Sequence, residues 1–201
     1  REGYSLEEAY DKMYERNYFG MSMVEQGDAD AFITGLYTKY SNTIKVAKDV
    51  IGIRDEYKTF GTMHILNTQK GVYYIADTQI NRHPDEDVLT DIAKLSAGTV
   101  KFFNEEPVMA MLSYSNFGTD AIGSPVKVKK AVAEMQKEYP DLAIDGEMQV
   151  NYALNKDLRD EKYPFSRLKG KDVNTLVFPN LSSANGAYKL LQGLNPEAEI
   201  I

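Results

Sequence analysis

Cysteine is absent from all 201 residues, which excludes disulfides, thiol nucleophiles and thiolate metal sites. Tryptophan is missing too, and the only histidines are His64 and His83. Neither stands at catalytic or metal-ligand spacing from a partner, so both read as structural. No apolar run approaches the ~20 residues that span a bilayer, and no signal peptide opens the chain. No membrane partner and a cytoplasmic location are therefore expected. There is no basic excess: a net charge of -7 argues against nucleic acid, which needs a basic footprint, without excluding a local basic pocket. No nucleophile elbow, Walker loop or GxGxxG fingerprint occurs, and no repeat or low-complexity tract is visible. An initiator Met is lacking and the chain stops on the apolar Glu199-Ile200-Ile201. A piece of a larger protein is expected on that ground.

What is present centres on residues 108 to 125. Val108 to Leu112 is an unbroken apolar run of strand length, expected to be buried on both faces. The small polar residues Ser113, Ser115, Asn116, Gly118 and Thr119 follow and can turn the chain while offering hydrogen bonds. Ser124 reads as an N-cap and Pro125 as the first residue of a helix running to about Tyr139. Helix N-termini favour acids, because their unpaired N–H groups carry partial positive charge. This helix opens instead with Lys127, Lys129 and Lys130, whereas the helix after Pro84 carries the expected Asp85, Glu86 and Asp87. Strand, polar loop and basic helix start together predict a site for an anion.

The remaining segments predict an α/β protein. Ser5 to Glu8 has the form of a capping box, and Leu6, Ala9, Tyr10, Met13 and Tyr14 share one helix face. Asn17 to Gly20 is expected to break that helix, and Thr43 to Ile51 to form another. Residues 53 to 61 read as a linker. Strands are expected at Met63–Leu66, Val72–Ala76, Leu142–Ile144 and Thr175–Phe178, with helices between Val88 and Thr99, Asn151 and Leu158, and from Ser182 onward. Ligand crevices in open α/β sheets lie at the carboxyl ends of strands. Four such ends carry Asp77/Asn81, Ser115 to Thr119, Asp145/Glu147 and Asn180/Asn185, and they are expected to converge. Asp145 and Glu147 suit either proton transfer and ligand orientation or a solvated turn. Asp28 and Asp30 lack a third ligand and read as a turn rather than a metal site.

The motif order resembles the phosphate acetyl/butyryl transferase family. The matching pieces are Asn17-Tyr18-Phe19-Gly20, Gly27-Asp28-Ala29-Asp30, Asp77 to Asn81 with Pro84, Met111 to Ser115 with Gly118, Asp145-Gly146-Glu147-Met148-Gln149, and Phe178-Pro179-Asn180-Leu181 with Ala184-Asn185. Ala31, Ser115-Asn116-Phe117-Gly118 and Met148 to Leu154 look more particularly like the transferase-like carboxyl-terminal half of hybrid NADP-dependent malic enzymes.

The resemblance implies two α/β lobes of the isocitrate-dehydrogenase-like kind, with 1–56 part of an incomplete first lobe and 57–201 the second. It implies a homodimer or higher homo-oligomer and an acetyl-CoA-sensing, oligomerising module. NADP, a divalent metal and malate decarboxylation would belong to the missing amino-terminal half. The alternative it implies is acetyl transfer between CoA and phosphate. Ligand-binding residues on this view are Ser113, Ser115, Asn116, Gly118, Thr119, Lys127, Asp145, Glu147, Asn180, Asn185 and Lys45. Lys45 stands where active members carry arginine, and it lacks the bidentate fork. The family's Ser-Arg and Asp catalytic motif would lie beyond Ile201, so no catalytic residue, metal or bound cofactor is expected within this chain, and acetyl-CoA, CoA or phosphate is the expected ligand.

Overall fold

The computed structural model describes residues 3–195, 197 and 199–201. The chain divides into two compact units, Arg1–Tyr57 and Lys58–Ile201.

The regular elements of the first unit, among the described residues, are helices. α1 (Leu6–Met13) opens with the expected capping box: the Glu8 amide donates to the Ser5 hydroxyl at 3.2 Å, and the Ser5 amide to the Glu8 carboxylate at 2.8 Å. α1 buries none of its residues. Asn17 to Gly20 does not break the helical region but lies inside α2 (Arg16–Gln26). Local propensity disfavours Asn and Gly there, but packing overrides it. Tyr18 and Met21 form a small core with Val46 of α3 (Tyr40–Val50), and Phe32 lies where a side chain at position 20 would sit. The Tyr18 hydroxyl donates to buried Asp49 at 2.6 Å.

The second unit is a six-stranded sheet in the order β4-β3-β5-β2-β1-β6. Its strands are β1 (Met63–Thr68), β2 (Gly71–Ala76), β3 (Val108–Leu112), β4 (Ala143–Met148), β5 (Thr175–Val177) and β6 (Glu199–Ile200). β2, β5, β3 and β4 run parallel, while β1 is antiparallel to both of its neighbours. Ala76, Val177 and Met111 lie in register, with Met109 two residues before Met111. They pack beneath α4 (Glu86–Phe102) and α5 (Ser124–Glu138), on Leu89, Ile92, Val128, Val132 and Met135. Ile75, Leu176 and Ala110 face the other way, as strand alternation requires. That face carries α6 (Val150–Leu154), α7 (Lys156–Lys162) and α8 (Leu181–Leu194).

Three local expectations are corrected. Asp145-Gly146-Glu147 is not a solvated turn: these residues belong to β4, and both carboxylates are buried. Ser124 is already helical, and Gly123, at φ 70°, caps α5. The stretch Asn151 to Leu158 is two short helices, because Asn155 is extended and uses its side chain to cap α7. Arg159 is fully buried and spends its guanidinium on the carbonyls of Ala153, Leu168 and Lys171, fixing the segment between α7 and β5.

Candidate functional site at the carboxyl edge of the sheet

The topology marks one edge. The chain leaves β2 and β3 toward α4 and α5 on one face, and leaves β5, which lies between them, toward α8 on the other. A crevice opens beside a strand where successive connections diverge in this way, and α/β proteins bind ligands there. The ends of β2, β3, β4 and β5 do meet at this edge, because those strands are parallel.

Below β2, buried Asp77 accepts from the amides of Gln79, Ile80, Asn81 and Thr62, from the Asn81 side chain at 2.6 Å, and from the Thr62 hydroxyl. This one carboxylate shapes the whole 77–81 turn. Asn180 caps α8, its side chain accepting from the Ser183 amide at 3.0 Å. Asn185 donates to the Thr78 carbonyl at 3.3 Å. His64, at the start of β1, shares this edge because β1 runs the other way. Its Nδ1 lies 2.7 Å from the Thr78 hydroxyl and its ring stacks on Tyr188 at 4.2 Å. Burial pushes the His64 pKa below its ordinary value. Nothing in the sequence pairs His64 with Thr78 or Tyr188, which different elements bring together.

The β3–α5 loop is closed upon itself. The amide of Ser115 donates to the Ser113 hydroxyl, that of Asn116 to the Thr119 hydroxyl, that of Phe117 to the Glu147 carbonyl at 2.8 Å, and that of Thr119 to the Asn116 carbonyl. The Gly118 amide donates to Glu147 Oε1 at 2.5 Å, and the Ser115 hydroxyl reaches the same oxygen at 3.3 Å. The Asn116 side chain accepts from the Gln149 amide at 2.8 Å. Asp145 is equally committed: it accepts from the Ser166 hydroxyl, the amides of Arg167 and Gly146, and the Gln136 side chain.

The three lysines go different ways. Lys127 is half-buried and donates to the carbonyls of Pro84 at 2.7 Å and Pro179 at 2.9 Å, bridging the loops after β2 and β5. Burial pushes its pKa below the usual lysine value, against the opposing pull of Asp85 and Glu86. Lys130 pairs with Glu86 at 2.8 Å. Lys129 is exposed and forms no ion pair among the described residues; its ammonium lies within 3.9 Å of the position a side chain at Gly118 would begin from. Ser113, Ser115, Asn116, Gly118, Thr119, Lys127, Asp145, Glu147, Asn180 and Asn185 therefore all belong to this second unit. Lys45 is exposed on α3 in the first. No helix of the described residues is long and apolar enough to cross a membrane.

The family described as Phosphate acetyl/butaryl transferase matches residues 1–200. An NADP-dependent malic enzyme of Escherichia coli (strain K12) is 40% identical over 86% of this chain and 23% of its own length. A phosphate acetyltransferase of Bacillus subtilis (strain 168) is 35% identical over 96% of this chain and 60% of its own length. Among solved structures, a phosphotransacetylase from Streptococcus pyogenes superposes with a TM-score of 0.90 at 32% identity, covering 98% of this chain and 60% of that one. The chain thus spans less than two thirds of each of these relatives, 23% of the malic enzyme and 60% of the other two.

Proposed function

The chain belongs to the Phosphate acetyl/butaryl transferase family, and from that premise we propose that it is the transferase-like part of a hybrid NADP-dependent malic enzyme. Its role is to sense acetyl-CoA and to assemble with further copies of itself. The observation that carries this reading is the self-satisfied loop after β3: all its amides from Ser115 to Thr119 have internal partners. A transferase that used this loop must hold free phosphate or acetyl phosphate, and such oxygens need donors that are available. A sensor needs only that ligand binding favour one state of the assembly. The higher identity to the malic enzyme than to the phosphate acetyltransferase points the same way. In this reading phosphate groups of CoA meet the crevice through side chains, the exposed Lys129 above all, with Asn180 and Asn185 on the α8 side.

Calorimetry of the full-length protein with acetyl-CoA, alongside malate turnover, tests it. Heat of binding and a changed turnover are expected. Neither heat nor effect, or rapid conversion of acetyl phosphate and CoA by the protein, would overturn the proposal.

The second reading is acyl transfer between CoA and phosphate, favoured by the fold match to a phosphotransacetylase at a TM-score of 0.90. A coupled assay for acetyl-CoA formation separates the two.

A further inference from the structure

The first unit holds a polar cluster of its own, beneath α1. That helix buries none of its residues, and the apolar side chains Leu6, Tyr10 and Tyr14 along it are exposed. Apolar packing therefore does not explain why it stays docked, and an eight-residue helix is marginal alone in water. The contacts that hold it are polar. Tyr4, just before the capping Ser5, donates its hydroxyl to Asp49 Oδ2 at 3.2 Å, and Tyr18 of α2 donates to the same oxygen at 2.6 Å. Asp49 is buried on α3, so one carboxyl group gathers the two rings. Burial, and then the hydrogen bond to Asp49, push the Tyr18 pKa well above its ordinary value, which keeps the proton in that bond. Lys12, in the last turn of α1, lines a hollow of ≈ 290 Å³ with Tyr4, Tyr18 and Asp49. Its ammonium lies 4.6 Å from the centre of the Tyr4 ring and 4.7 Å from that of Tyr18. Aromatic faces at that range attract a cation through the ring quadrupole, more strongly where water is excluded. Lys12 forms no ion pair among the described residues.

We propose that Lys12 is the clasp of α1: its charge, held between the Tyr4 and Tyr18 rings, docks the helix on α2 and α3, and α1 is a strap that neutralising this one amine releases. Release unburies no side chain of α1 itself, and it bares the Tyr18 ring and Asp49 beneath. Charge, rather than bulk, is what the clasp requires. Methionine is close to lysine in length and carries no charge, whereas arginine restores a cation that stacks on aromatic faces. Lysine, arginine and methionine have nearly equal helix propensities, so exchanging them leaves the intrinsic tendency of α1 in place. Glu8, four residues earlier on the same helix, also attracts Lys12. A pair of that spacing changes a helix equilibrium by at most about twofold.

Hydrogen exchange on the whole chain tests this. Lys12→Met should speed exchange of the α1 amides about tenfold, while those of α2 and α3 keep their rates. Lys12→Arg should stay within about twofold of the unsubstituted protein. Tyr4→Leu removes one ring of the clasp and should also speed α1. Combined with Lys12→Met it should add less than the product of the two single effects, because both remove the same contact. The proposal is overturned if α1 in Lys12→Met exchanges no more than about twofold faster, which the Glu8 pair alone would explain. It is overturned equally by Lys12→Arg exchanging as fast as Lys12→Met, or by single effects of Lys12→Met and Tyr4→Leu that simply multiply. Matching acceleration throughout α2 and α3 would sink it too, since α1 would then be support for that small core and not a strap upon it.

Discussion

Gly146 lies in β4 between two buried carboxylates, at φ 148°, with the Met111 carbonyl of β3 where a side chain would begin. Gly146→Ala must strain the backbone and push two hydrogen-bonded strands apart, so a loss of about 3 kcal/mol is expected from urea unfolding. Gly98 of α4 is the contrast: a methyl there meets nothing, and Gly98→Ala should gain about 0.5–1 kcal/mol. Equal effects from the two would contradict this account. His64 adds a pH dependence. Burial lowers its pKa in the folded protein, so below about 6.5 the unfolded chain binds more protons than the native one and stability falls as pH falls. Melting temperatures taken from about pH 7.5 to 5.5 should decline, and His64→Phe should flatten that decline. Which residues carry such effects was only partly visible in the sequence. Asp145 and Glu147 stood out as a chemical pair; that they are strand residues buried against two different loops was not visible, because a short polar segment reads as a turn by composition.

At the scale of elements, the clearest expectations were those set by local physics. β3 was expected at Val108–Leu112 and is found there, since an apolar run bounded by polar residues has one economical fate, burial between layers. The Ser5–Glu8 capping box is equally local and equally present. α1 buries nothing, so its cap matters more than in a packed helix. Ser5→Ala should speed hydrogen exchange across α1 by about five- to tenfold, corresponding to roughly 1 kcal/mol, and leave β3 unchanged. Slowed or uneven exchange confined elsewhere would contradict it. α5 shows where local rules stop. Its lysine-rich start signalled an anion, and the carboxylate that pairs with it is Glu86 of α4, on Lys130. Lys127 meanwhile serves as a tie between the Pro84 and Pro179 loops.

At the scale of the molecule, the two units differ in how much they bury. The core of Arg1–Tyr57 rests on Tyr18, Met21 and Val46, whereas Lys58–Ile201 has both faces of a sheet covered. Smaller cores give smaller stabilities. Urea unfolding should therefore show two transitions, the earlier reported by amides of α2 and α3 and the later by those of β3. Brief trypsin treatment should cut first near Arg54, in a stretch without helix or strand, and yield a second unit that still melts cooperatively. A single concerted transition by all probes would refute this division of stability.

The sequence by itself determined the class of the fold, the central strand and, within a residue or two, the helices α1, α5 and α8. Those follow from hydrophobic period, capping chemistry and turn residues, which act over a few positions. Only the tertiary structure decided who partners whom at that edge: Glu147 with Gly118, Lys127 with two carbonyls, His64 with Thr78 and Tyr188. A donor's fate depends on which acceptor the folded chain carries within hydrogen-bond reach, and that distance is set by strand order and helix side, not by sequence separation.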